Sequence, residues 1–216
     1  MLLCACHFAD TKTHLILEET MHQLFYTGLE AAAASILLVP LFLYLNKLHF
    51  HSRKNTLLYT LFAVYLAGVY AVAGLPNVRY FRFDPNFNFV PFLYMFSDLS
   101  GTILNVILFI PLGFFLAVLW KPFRNPVWNT LFGLGISLVI EFLQIFTFRA
   151  TDVNDLMTNT LGTLIGWVAG HCARKNCTAL VCDNAKRDLA VVFGATFCVM
   201  FFAHPFLSGL MWRLID

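Results

Sequence analysis

The chain has 216 residues, 59% of them hydrophobic and 12% charged, with a formal net charge of +2 and a mean hydropathy of +0.73. Soluble domains carry about a quarter charged residues, so this composition excludes an ordinary water-soluble globule. A net charge this small, with the basic residues held in short loops between apolar runs, leaves no footprint for nucleic acid.

The first twenty residues do not have the form of a signal peptide. Asp10, Glu18 and Glu19 interrupt them, and no small-residue cleavage site follows a long apolar core. Met21 directly precedes the first apolar run, so residues 1–20 are either a flexible tail or lie upstream of the true start. Several runs beyond reach the roughly 18–20 residues that cross a bilayer core as a helix. Six spans are predicted: 24–45, with Glu30 near its outer end; 57–75; 103–120; 127–148; 152–171, polar at first and apolar later; and 189–207. The expected fold class is therefore all-α, a polytopic transmembrane helix bundle. Residues 1–56 would form a tail and an extra helix, 57–170 a central membrane domain, and 171–216 a loop and last helix.

Lys and Arg bias sets orientation. With the N-terminus outside, loops 46–56, 121–126 and 172–188 are cytoplasmic and hold Lys47, Arg53, Lys54, Lys121, Arg124, Arg174, Lys175, Lys186 and Arg187. The other side holds Lys12, Arg79, Arg82, Arg149 and Arg213. Nine against five places both termini outside, with linker 76–102 and the Arg149–Asp155 turn together on the extracytoplasmic face. Cys172, Cys177 and Cys182 share one loop, and Cys4, Cys6 and Cys198 are scattered, but none has the paired spacing of a zinc site. Reduced thiols are expected, with no metal and no cofactor.

The long linker is rich in rings: Tyr80, Phe81, Phe83, Phe87, Phe89, Phe92, Tyr94 and Phe96, interrupted by Pro85 and Pro91. Prolines break helix continuity, and aromatic rings settle at the headgroup level. The segment is either a cap or re-entrant piece over the bundle, or a greasy loop anchored among headgroups with no binding role.

In hydrocarbon each polar side chain needs a reason, since an ionised one near the bilayer centre costs about 2.5–3.5 kcal/mol. Span three carries Asn105, able to bond between helices, with Pro111 and Gly113 permitting a kink and close approach. Span four carries Glu141 and Gln144, three apart and on one face. Arg149 lies eight residues beyond Glu141, out of direct reach unless the chain turns back. Span five opens with Asp152, which with Thr151 is a natural helix cap. Asp155, Asn159, Gly162 and Gly166 then follow at spacings of three, four, three and four. One face thus displays carboxylates above and, through Gly162, Gly166 and Gly170, a small-residue packing seam below.

Four pieces occur in order: Asn88-Phe-Val-Pro91-Phe92; Asn105 to Gly113, Asn-x-x-Leu-Phe-x-Pro-Leu-Gly; Ile140 to Gln144, Ile-Glu-x-x-Gln; and Asp152 to Gly162, Asp-x-x-Asp-x-x-x-Asn-Thr-x-Gly. This pattern resembles the VanZ-like family of bacterial integral membrane proteins over roughly residues 57–170, spans one and six lying outside it. The resemblance implies a multi-pass protein of the bacterial cell membrane, associated in the founding members with low-level teicoplanin resistance.

Three functions fit these residues. The first is a binding protein of the cell envelope, with Asn105, Glu141, Gln144, Arg149, Asp152, Asp155 and Asn159 lining a pocket open to the outer leaflet. Its partners would be membrane lipids and a lipid-linked wall precursor or lipoglycopeptide. The second is an intramembrane hydrolase or transferase on a lipid-phosphate substrate, with Glu141 and Asp155 as catalytic candidates and Arg149 holding the phosphate. The third is a scaffold whose polar residues only lock helices together.

Overall fold

A computed structural model describes residues 28–88, 90, 92, 99–147, 149, 151–174 and 184–215. The expectations for residues 1–20, for Phe89, Pro91, Tyr94 and Phe96, and for Cys177 and Cys182 lie outside these. Among the described residues six long helices build the fold: α1 (Gly28–Phe50), α2 (Arg53–Val72), α3 (Leu99–Leu119), α4 (Pro126–Gln144), α5 (Val153–Ala173) and α6 (Ala185–Leu214). All but α5 are long and apolar enough to cross a membrane by length and composition. With 21 residues α5 matches them in length, and its polar opening turns lower its hydropathy. The all-α membrane bundle is thus the fold.

Local chemistry sets the helix ends. Ser52 accepts from the Asn55 amide at 3.4 Å to cap α2, and Asn125 accepts from the Val127 amide at 2.9 Å to cap α4, where Pro126 fills the first helical position. Asp152 caps α5, its Oδ1 accepting from the Asn154 amide at 2.9 Å. Within α3, Pro111 lacks the N–H that would bond the Ile107 carbonyl. The Tyr65 hydroxyl donates to the next carbonyl, Leu108, at 2.7 Å. In α6 a π turn, Val199–Ala203, precedes His204.

One boundary changes the chemistry. Span four was expected to run to residue 148, but α4 stops at Gln144 and residues 145–147 form a turn held by Thr147 Oγ1 donating to the Gln144 carbonyl at 3.0 Å. The apolar run Ile145-Phe146 continues past the helix end because it packs in the turn, where Phe81 stacks on Phe146 with centroids 4.7 Å apart. Glu141 therefore lies in the last turn of α4, at the mouth of the bundle rather than about 10 Å inside it.

Two kinds of packing hold the helices. An aromatic core of Phe42, Tyr59, Phe62 and Trp120, all fully buried, joins α1, α2 and the α3 end, and Phe193 of α6 meets Phe62 edge-on at 5.8 Å. The α3–α5 pair is the most intimate in the molecule. A Cβ on Gly166 would sit 2.0 Å from the Ile110 carbonyl oxygen, and one on Gly162 2.2 Å from that of Val106. Backbone touches backbone there, so only glycine fits.

The described part of the long linker caps the α4–α5 turn. Arg82 and Asp84 amides donate to the Phe146 and Ile145 carbonyls at 3.1 and 2.9 Å. Strand β1 (Phe87–Asn88) then pairs in parallel with β2 (Thr151–Asp152), Asn88 opposite Asp152. The rings of Tyr80, Phe81 and Phe83 remain exposed at the surface of this cap.

Candidate functional site: an acidic basin at the α4–α5 mouth

The chain turns back between α4 and α5, and the β1–β2 pair draws the linker onto the same spot. Their meeting gathers a cluster of acidic side chains, the acidic basin of this site. At its centre is Glu141, 3% exposed, whose Oε2 accepts from the Asp152 amide at 2.9 Å. Thr151 Oγ1 donates to the Glu141 carbonyl at 3.1 Å, fixing the start of α5 against the end of α4. Half-buried around Glu141 are Asp152, which accepts from Asn88 Nδ2 at 3.0 Å, and Asp155, which accepts from Asn105 Nδ2 at 2.7 Å. Asn154, buried, accepts from the Phe92 amide at 2.7 Å and ties the far end of the linker to the first turn of α5. Among the described residues, Asp155, Asp152 and Arg149 lie close enough to Glu141 for their charges to act on it.

Four of the seven predicted site residues therefore converge: Asn105, Glu141, Asp152 and Asp155. The other three do something else. Gln144 Nε2 donates to the Ala73 carbonyl at 2.8 Å, and Asn159 Nδ2 donates to Ser137 Oγ at 2.9 Å, both buried between helices. Arg149, exposed, sends Nη1 to the Val72 carbonyl at 3.0 Å. The guanidinium that a lipid-phosphate enzyme would set beside Glu141 is thus turned toward the end of α2.

The basin draws on the linker, α3, α4 and α5, and the comparisons with known proteins cover that same stretch. The profile of the VanZ/LLP1 family matches residues 56–174, more than half of the chain. The chain belongs to the VanZ/LLP1 family. Protein VanZ of Enterococcus faecium is 38% identical over 90 residues, which is 41% of this chain and 52% of that relative. The chain thus spans about half the length of the curated relative it matches. No solved structure matches it.

Every basin residue lies inside the VanZ/LLP1 stretch, while α1 and α6 lie outside it. Together with its spans, the family makes this a multi-pass membrane protein whose outer helix faces contact lipid. Sequence reasoning placed Asn88 in the family pattern but not in the site, and passed over Asn154. The missing signal was pairing across more than sixty residues between β1 and β2, which no local spacing reveals. Asn129, fully buried and donating from Nδ2 to the Gly113 carbonyl at 3.1 Å, was likewise missed; it tethers α4 to α3.

Proposed function

We propose that this chain is a bacterial cell-membrane protein that binds a lipid-linked or lipophilic molecule at the outer leaflet, and that it contributes to glycopeptide resistance through that binding. One observation carries the proposal. Glu141, Asp152 and Asp155 share a mouth with Asn88 and Asn105, and among the described residues a single backbone amide donates to the Glu141 carboxylate. Buried acceptors want donors, and three close carboxylates favour a partner rich in N–H or O–H groups. Sugar hydroxyls, peptide amides and ammonium groups of a wall precursor or lipoglycopeptide meet that demand, while their acyl chains would lie along lipid-facing helices. Basic-residue bias supports setting this mouth on the extracytoplasmic side.

The proposal is tested by expressing Glu141→Gln and Asp155→Asn at wild-type membrane levels in a susceptible Gram-positive host. Both variants are expected to lose any gain in teicoplanin tolerance, and the purified proteins to lose binding of teicoplanin or a lipid-linked precursor. Unchanged tolerance together with unchanged binding removes the basis for the proposal.

A further inference from the structure

A second concavity opens on the same end of the molecule, apart from the acidic basin, none of whose carboxylates lines it. It is a cleft of about 700 Å³ between the α1 start, the α2 end, the linker beyond it, the α4–α5 turn and the second half of α6. That size suits a small-molecule headgroup. Three guanidiniums line it: Arg79, Arg82 and Arg149.

Each is placed by a specific contact. Arg149 is anchored through Nη1 on the Val72 carbonyl. Its side chain rests against Gly74, where φ is +61° and a Cβ would fall 3.3 Å from Arg149 Cδ. Glycine there serves twice, allowing the left-handed turn after α2 and giving the arginine its seat. Arg79 lies over the Phe206 ring, 4.7 Å from its centroid, and against Gly209, where a Cβ would be 2.7 Å from Nη1. Arg82 is held by its backbone amide on the Phe146 carbonyl.

One carboxylate, Glu30, stands among the described residues of the lining, and it is already engaged. Its Oε1 accepts from Ser208 Oγ at 2.7 Å and Trp212 Nε1 at 3.2 Å, and His204 Nε2 lies 3.0 Å from Oε2. The cleft is therefore net positive, and among the described residues no carboxylate pairs with Arg79 or Arg149. Arginine forks match phosphate oxygens two at a time, and their weak hydration suits a site at the membrane surface. Phe81, Phe146 and Trp212 add apolar wall for whatever the phosphate is attached to.

The geometry points to a phosphate-binding cleft whose ligating groups are Arg79 and Arg149, taking the phosphate or diphosphate of an anionic ligand. It goes beyond the basin proposal and does not depend on it. It also gives α1 and α6 a role, since Glu30, His204, Ser208 and Gly209 come from helices beyond the family stretch.

The test uses the full chain in nanodiscs of mixed phosphatidylglycerol and phosphatidylcholine, read by native mass spectrometry, and the detergent-solubilised chain melted with and without inorganic diphosphate. Preferential phosphatidylglycerol retention, falling at least about tenfold in an Arg79→Gln/Arg149→Gln double variant, establishes a lipid headgroup as the source. Stabilisation by diphosphate alone, lost in the same variant, establishes a soluble phosphate ligand. Where the double variant gives no monodisperse protein, Arg79→Lys keeps the charge and removes the fork, and a several-fold weaker retention or stabilisation is expected. Equal retention of both lipids with no diphosphate effect overturns the inference, as does a response that the arginine variants leave intact.

Discussion

Two glutamates sit near the same end of the bundle, and their surroundings differ. Glu30 receives three side-chain groups from one helix, His204, Ser208 and Trp212, which together pin α1 to α6. Glu141 receives one backbone amide, and the charges near it are two further carboxylates and the Arg149 guanidinium. A carboxylate whose acceptor sites are filled by its own chain behaves as a lock. One that gathers negative charge with few donors is suited to meeting a ligand, and its own fold gains little from it. The same division runs along α5: its lower glycines touch the α3 backbone, while its upper turn presents Asp152 and Asp155.

The comparison can be broken by mutation, beginning with the change that should cost most. Gly166→Val would force side-chain atoms into the Ile110 carbonyl, 2.0 Å from the new Cβ. A loss exceeding about 3 kcal/mol is expected, seen as aggregation on size exclusion or a collapsed melting transition; this sets the scale for pure packing. Glu30→Ala strands the His204, Ser208 and Trp212 groups and should lower stability by about 2–3 kcal/mol. Whatever protein survives is expected to keep its teicoplanin phenotype, and losing it at normal protein levels would erase the distinction between lock and site.

Glu141→Gln retains an acceptor for the Asp152 amide, so melting should shift by less than about 1 kcal/mol while ligand binding and tolerance vanish. A large stability loss here would move Glu141 to the side of Glu30. The smallest effect is expected for Asn159→Ala, which removes the bond to Ser137 and should cost about 0.6 kcal/mol, the average for interhelical bonds in membranes. Ligand binding should persist, sharpening the boundary of the basin on α5.

How much of this was legible before folding follows from distance along the chain. The α5 stripe could be read because residues three and four apart share a helix face, and the cap at Asp152 because its side chain acts on its own neighbours. Gly162 and Gly166 announced a close seam, and Asn105 and Asp155 were both marked, although their bond joins two helices. The end of span four was misplaced for a local reason: Ile145-Phe146-Thr147-Phe148 is apolar enough to continue a span, so the stop at Gln144 is invisible without the Phe81 stack and the linker bonds that stabilise the turn. Glu30 was noticed as a charge in a span, but its partners lie more than 170 residues away. The arginine cleft was out of reach for the same reason, being closed by helices that meet only in the folded bundle.

A structure of the chain purified with native lipid retained would bear most directly on the role of the basin. Density for a polar headgroup in contact with both Glu141 and Asp155, its tail running down the lipid-facing side, is the predicted result. A basin closed by protein side chains, with lipid ordered only around the outer belt, would contradict it and leave these acids as helix locks.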